Sequence, residues 1–341
     1  MSLTEVQTLG ASVEQAPARS IEGRSPWQLA WRRLRSDKVA VASAIIIVLL
    51  CAVALAAPLI ADATGKTYAE QFRNTGITAQ GLPVGPGSQF WLGTDNLGRD
   101  IFIRVIYGAR ISLLVGLSST AIAVVAGVIV GLFAGYYGGA IDAVLARLTD
   151  TALAFPYLLL AIAIAAIFGP SLPMLIGVIA FFSWAALSRI VRGQTLSLKE
   201  KEYVEAARAI GSSPLRIMFI DILPNVMAPV IVIATLLVPS AIVFEATLSF
   251  LGVGVVPPTA SWGNMISDSL SWYTTSWWFL IFPSAALLLT TLAFNLLGDG
   301  VRDALDPQTE RIFAGRKRRS KPQPTEGPAL VEPARPVTEG E

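Results

Sequence analysis

Histidine is absent from this chain of 341 residues, and cysteine occurs once, as Cys51. The first absence removes the commonest general base and metal ligand. The second leaves no partner for an intrachain disulfide. The sequence holds no G-x-x-x-x-G-K-[ST] phosphate loop, no G-x-S-x-G elbow and no H-E-x-x-H pair. ATP hydrolysis and hydrolase chemistry are therefore not expected of it. No catalytic residue, cofactor, metal site or nucleic-acid partner is indicated. Charge is also scarce: 15% of the residues are Asp, Glu, Lys or Arg, against about 25% in soluble domains.

Apolar side chains fill the gap, at 53% of the chain with a mean hydropathy of +0.60. They gather in uncharged runs of about 20 residues, the length that crosses hydrocarbon as a helix. Lipid leaves no backbone polar group a partner outside the chain, so only helices and closed barrels span it. Continuous apolar runs without period-two alternation exclude the barrel. An all-α polytopic membrane protein is expected.

Residues 1–38 read as an N-terminal segment with no cleavable signal peptide. In it Ser25-Pro26 has the form of a helix start. Trp27, Trp31 and Leu34 fall on one face of that helix, with Arg32, Arg33, Arg35 and Lys38 around it. This fits either a helix lying on the membrane surface against lipid or simple topogenic charges. The first span is 39–60, followed by a polar, glycine-rich segment over 61–110. The second span covers about 111–135, where Gly127, Gly131 and Gly135 recur every fourth residue; such a stripe lets a neighbouring helix approach closely. A short loop over 136–147 comes next. The charge-free stretch 151–188 is too long for one span, and Gly169-Pro170-Ser171-Leu172-Pro173 divides it, with Pro156 kinking the first half. A loop over 189–224, a fifth span over about 226–244, a tryptophan-rich segment over 245–278 and a sixth span over about 279–298 complete the pattern. The tail, 300–341, carries the basic cluster Arg316-Lys317-Arg318-Arg319. The lysine and arginine placement puts both termini and the 189–224 loop in the cytoplasm.

The decamer Glu202–Gly211 organises this plan. It is a charged, helix-forming stretch between two apolar runs, and so it sits in water beside the bilayer. Ala206 and Ala207 give it a small, smooth surface, and Gly211 ends it. Ser213-Pro214 opens a second helix over 215–222 that stops at Leu223-Pro224. Such a loop can pass on a push from a soluble partner.

Glu205-Ala206-Ala207, Gly211 and Leu223-Pro224 resemble the EAA loop of ABC-importer permeases. One position departs from that pattern: Asp221 stands where an apolar residue is preferred. Leu92–Asp100, Tyr107–Leu113, Leu248–Gly252 and Phe294–Pro307 resemble the second permease subunit of the dipeptide, oligopeptide and nickel branch. The likeness covers about residues 27–310. It implies a type I (MetI-like) permease core of six transmembrane helices over 111–299 and the preceding span. It also implies a bacterial inner-membrane location, a second similar permease, two cytoplasmic ATP-binding subunits and an extracytoplasmic solute-binding protein. ATPase coupling would fall to Glu205, Ala206, Ala207, Arg208, Gly211, Leu223 and Pro224. Peptides are the leading solute, with glutathione or nickel as alternatives from the same machinery. A stand-alone secondary transporter is the rival, although the spans carry few of the buried acids and bases that ion coupling uses. Glu245 is either a solute-path group or a satisfied helix-end carboxylate; Asn295 lines the path or bonds a neighbouring helix.

Overall fold

The computed structural model describes residues 26–306. The tail's basic cluster, the residues before 26 and Ser25 lie outside them. Residues 26–304 form one compact unit.

α1 (Pro26–Ser36) leads into α2 (Lys38–Leu55). The Asp37 carboxylate caps α2, accepting from the amides of Val39 at 2.9 Å and Ala40 at 3.3 Å. The expected span 39–60 is broken at Ala56, and α3 (Ala57–Thr64) starts again with Pro58 in its first turn. A proline there has no amide to waste, whereas inside a continuous helix it would remove a bond.

α4 (Ile101–Tyr137) begins ten residues before the expected second span. Asp100 caps it, with Oδ1 accepting from Phe102 N at 2.8 Å, while Oδ2 pairs with Lys66 at 2.7 Å. Arg104 and Arg110 read as loop charges in the sequence, yet both lie on this helix. Arg104 is only 1% exposed. Its Nε lies 3.4 Å from Asp95, and its Nη1 donates to Tyr68 O at 3.1 Å and Pro258 O at 3.4 Å. Asp95 also accepts from Arg99 Nε at 2.6 Å and from the amides of Leu97 and Arg99. Compensation of this kind makes a buried arginine tolerable. It also joins the 61–100 segment to residues 251–276. Trp278 Nε1 on Thr94 O at 3.2 Å and Trp262 Nε1 on Val105 O at 3.0 Å complete the cap.

The expected 136–147 loop is helical. α5 (Gly139–Ala154) meets α6 (Tyr157–Phe168) at an 84° bend at Phe155-Pro156, so the third span is a broken one. α7 (Leu172–Leu198) runs ten residues past the point where the 189–224 loop was expected to begin. Arg189 and Arg192 ended the apolar run in the sequence; in the fold they pair with Asp150 and Asp142 of α5, each at 2.6 Å. Along α4, a Cβ on Gly127 would lie 2.8 Å from Trp184 O. On Gly131 and Gly135 it would lie 2.6 Å from the Cβ of Val191 and Thr195. The stripe is where α4 and α7 touch.

α9 (Pro214–Phe250) is one helical run, not a short helix and a separate span. The predicted stop at Leu223-Pro224 is missing because residues 217–222 form a π-turn, with Leu223 N bonded to Met218 O. The wider turn accommodates a proline that would otherwise collide with the carbonyl four residues back. Within the 245–278 segment the helix continues to Phe250, and a short α10 (Trp262–Ser269) follows. α11 (Trp277–Leu305) outlasts the expected sixth span at both ends. With the broken pair counted as one, the described residues provide six membrane crossings.

Candidate functional site

Between α7 and α9 lies α8 (Glu202–Ala209). Val204 is its anchor. It is fully buried with Leu132 of α4, Leu187 and Val191 of α7, and Ile217, Ile222 and Val226 of α9. Ala207 is half-buried against the same cluster. Arg208 lies over the Tyr136 ring at 5.6 Å, which fastens the helix to the end of α4. Desolvation and the nearby Asp221 carboxylate push the Tyr203 hydroxyl above its ordinary value, so it stays protonated.

The C-terminal end of α8 is a Schellman turn. Gly211 N donates to Arg208 O and Ser212 N to Ala207 O, both at 3.0 Å. Gly211 has φ +79°, and nothing lies within 4 Å of where its Cβ would be. Conformation, not space, therefore demands glycine. Ser213 Oγ then accepts from Arg216 N and starts α9.

The expected coupling residues divide into two groups. Glu205, Ala206, Arg208, Gly211 and Pro224 are exposed; Ala207 and Leu223 face the core cluster. The two alanines thus do not form one smooth surface. Beside the exposed group stand Ile210, 83% exposed, and Leu215, 55% exposed. The sequence reading placed both on the loop's two helices but gave neither a coupling role, although two apolar residues flanking a Gly-Ser-Ser turn were the available signal. Large apolar groups left bare beside charged ones mark an interaction surface.

The structure separates Glu245 from Asn295. Glu245 is fully buried, accepting from Ser112 Oγ of α4 at 2.7 Å and from Ser249 Oγ at 2.8 Å. Asn295 is exposed on α11 and lines a cleft of about 340 Å3 with residues of α6 and α9.

Six crossings, one of them broken, with a helix pinned beneath three of them, make a membrane-transport subunit. Residues 127–311 match the family described as binding-protein-dependent transport system inner membrane component, and residues 25–77 match the N-terminal TM domain of oligopeptide transport permease C. The chain belongs to the binding-protein-dependent transport permeases of ABC importers, multi-pass proteins of the inner membrane. It is 44% identical to a dipeptide transport system permease protein of Alkalihalophilus pseudofirmus, over 83% of this chain and 90% of that one. Identity to a glutathione transport system permease protein of Pectobacterium atrosepticum is 42%, over 84% and 92%. With a di/tripeptide transport system permease protein of Pseudomonas aeruginosa it is 42%, over 87% and 98%. The fold is also that of a chain in an inward-facing MetNI methionine ABC transporter (TM-score 0.50, 18% identity), covering 60% of this chain and 98% of that one.

Proposed function

We propose that this chain forms half of the translocation path of an importer of small peptides, and that α8 receives the stroke of a cytoplasmic ATPase. The observation that carries the reading is the two-sidedness of α8. Val204 is locked into three spans, while Glu205, Ala206 and Ile210 face outward. A push on the outer face moves the ends of α4, α7 and α9 together, because a packed cluster transmits displacement. The lysine and arginine bias puts α8 and both termini in the cytoplasm. A second similar permease, two ATP-binding subunits and an extracytoplasmic solute-binding protein complete the assembly. The segments 61–100 and 251–276, tied together by Arg104, face the binding protein. Relatives named for dipeptides, di/tripeptides and glutathione share one solute chemistry, since glutathione is a tripeptide.

The test is a cross-link in native membranes. With Cys51 replaced by serine, a cysteine placed at Ile210 should couple to the ATPase subunit, with a yield that changes between ATP and ADP. Glu205→Lys should abolish uptake while the chain still inserts. An uncoupled cysteine, or uptake that outlasts loss of the ATPase and collapses with the ion gradient, would replace this reading with a self-powered transporter.

A further inference from the structure

The cleft at Asn295 lies between the start of α6, the C-terminal third of α9 and the middle of α11. Tyr157, Ser240, Thr247, Thr291 and Asn295 bring polar atoms to it, and no acid or base lines it. Three of these need nothing from outside. Ser240, Thr247 and Thr291 donate to carbonyls of their own helices, Leu236 O at 3.1 Å, Val243 O at 2.8 Å and Leu287 O at 2.9 Å. Hydroxyls satisfied in this way tolerate lipid. Asn295 does not. Its amide is exposed and has no hydrogen-bond partner among the described residues. An unpaired amide is costly to leave in hydrocarbon, where nothing can bond it.

The broken span points the same way. Its bend leaves the last carbonyls of α5 without partners in their own helix, and Phe155 there is 51% exposed. Irregular backbone at membrane depth occurs only where protein buries it or water reaches it. Tyr157 is both the first residue after this break and part of the cleft wall. The contrast is α4, where exposed Ile122, Val125 and Ile129 present only carbon.

We infer that this cleft is the solute-facing wall of the path and that it takes neutral amides, with Asn295 pairing both the N–H and the C=O of a peptide bond. The inference rests on the importer reading and adds to it a binding surface and its chemistry. Lacking charge, the wall grips neither terminus of a peptide, so the solute is held through its backbone and can leave.

The experiment uses the assembled complex in right-side-out and inverted vesicles, with Cys51, the single cysteine, replaced by serine. Thr291→Cys and Asn295→Cys should react with a membrane-impermeant methanethiosulfonate about tenfold faster than Val125→Cys, since water is excluded from a lipid-facing site. ATP with vanadate should change those rates about fivefold, as a path that alternates its access requires. Rates as slow as at Val125, or direct disulfide formation with the second permease, overturn the inference by making the cleft a lipid or packing face. Asn295→Leu should cut alanyl-alanine uptake about tenfold, with Asn295→Gln restoring much of it; unchanged uptake in Asn295→Leu removes the amide recognition. The two readings fail separately. Inert cysteines in a complex that still shows ATP-driven uptake sink only the wall, whereas uptake indifferent to ATP sinks the importer reading itself.

Discussion

Ser112 Oγ donates to Glu245 Oε2 at 2.7 Å, although the two residues stand 133 positions apart. The bond ties α4 to α9 inside the bundle. Ser249 Oγ occupies the other carboxylate oxygen at 2.8 Å and itself accepts from Val255 N at 3.0 Å, so the turn after α9 joins the same network. Glu245 is thus a fastener between elements and not part of the cleft wall.

Removing that fastener should cost stability. Glu245→Ala leaves two hydroxyls without an acceptor and opens a cavity, so the chain should lose about 2–4 kcal/mol. Glu245→Gln should lose less than half as much, because the Ser112 hydroxyl can rotate to accept from the new amide. Thermal unfolding of the detergent-solubilised chain measures both. Equal midpoints for Glu245→Ala and the unaltered chain would show that the network holds nothing together.

Two glycines make a sharper comparison. A Cβ on Gly131 would meet Val191 Cβ at 2.6 Å and Ser188 O at 2.7 Å, whereas on Gly177 it would meet nothing within 4 Å. Gly131→Ala must push α4 from α7 and should cost about 1–3 kcal/mol. Gly177→Ala lies mid-helix on an exposed face of α7 and should be neutral or gain up to about 1 kcal/mol from helix propensity. The same unfolding assay decides it; a loss at Gly177 as large as at Gly131 would undo the packing account.

Gly127, Gly131 and Gly135 were legible in the sequence because their four-residue period is the period of a helix face. Helix ends were not. Hydropathy counts Arg104, Arg189 and Arg192 as boundaries, yet each is neutralised by an acid distant in sequence or held in a tight loop, and the helix runs on. The π-turn at 217–222 has no sequence period at all, so Leu223-Pro224 looked like a stop. Within the loop, Ala206 and Ala207 are chemically identical, and only the position of Val204 settles which one turns inward.

The cap formed by Arg99, Arg104, Asp95 and Asp268 should respond to pH. Asp268 lies 3.6 Å from Arg99, and burial pushes its carboxyl above the usual carboxylate range, with the two arginines partly opposing. A carboxyl whose folded pKa is raised binds its proton more tightly in the folded state. Its contribution therefore favours folding as pH falls from neutral through that raised value towards the ordinary one, and is withdrawn as pH rises. Asp268→Asn should flatten this part of the stability profile. Hydrogen exchange of residues 262–269 against pH follows it, and an unchanged slope in the variant would assign the dependence to another group.

The last prediction concerns Gly211, where α8 turns into α9. Its φ of +79° suits glycine, and the surrounding space is empty. Gly211→Ala therefore pays only the left-handed penalty of about 1–2 kcal/mol, and most uptake should remain. Gly211→Pro is different in kind. Proline fixes φ near −65° and removes the amide that donates to Arg208 O, so the Schellman turn cannot form and the outer face of α8 loses its fixed angle to α9. ATP-dependent uptake, normalised to the amount of chain in the membrane, should fall to background in Gly211→Pro with insertion intact. Full uptake in that variant would mean that a rigid end to α8 is not what carries the stroke, and the link between this turn and transport would have to be abandoned.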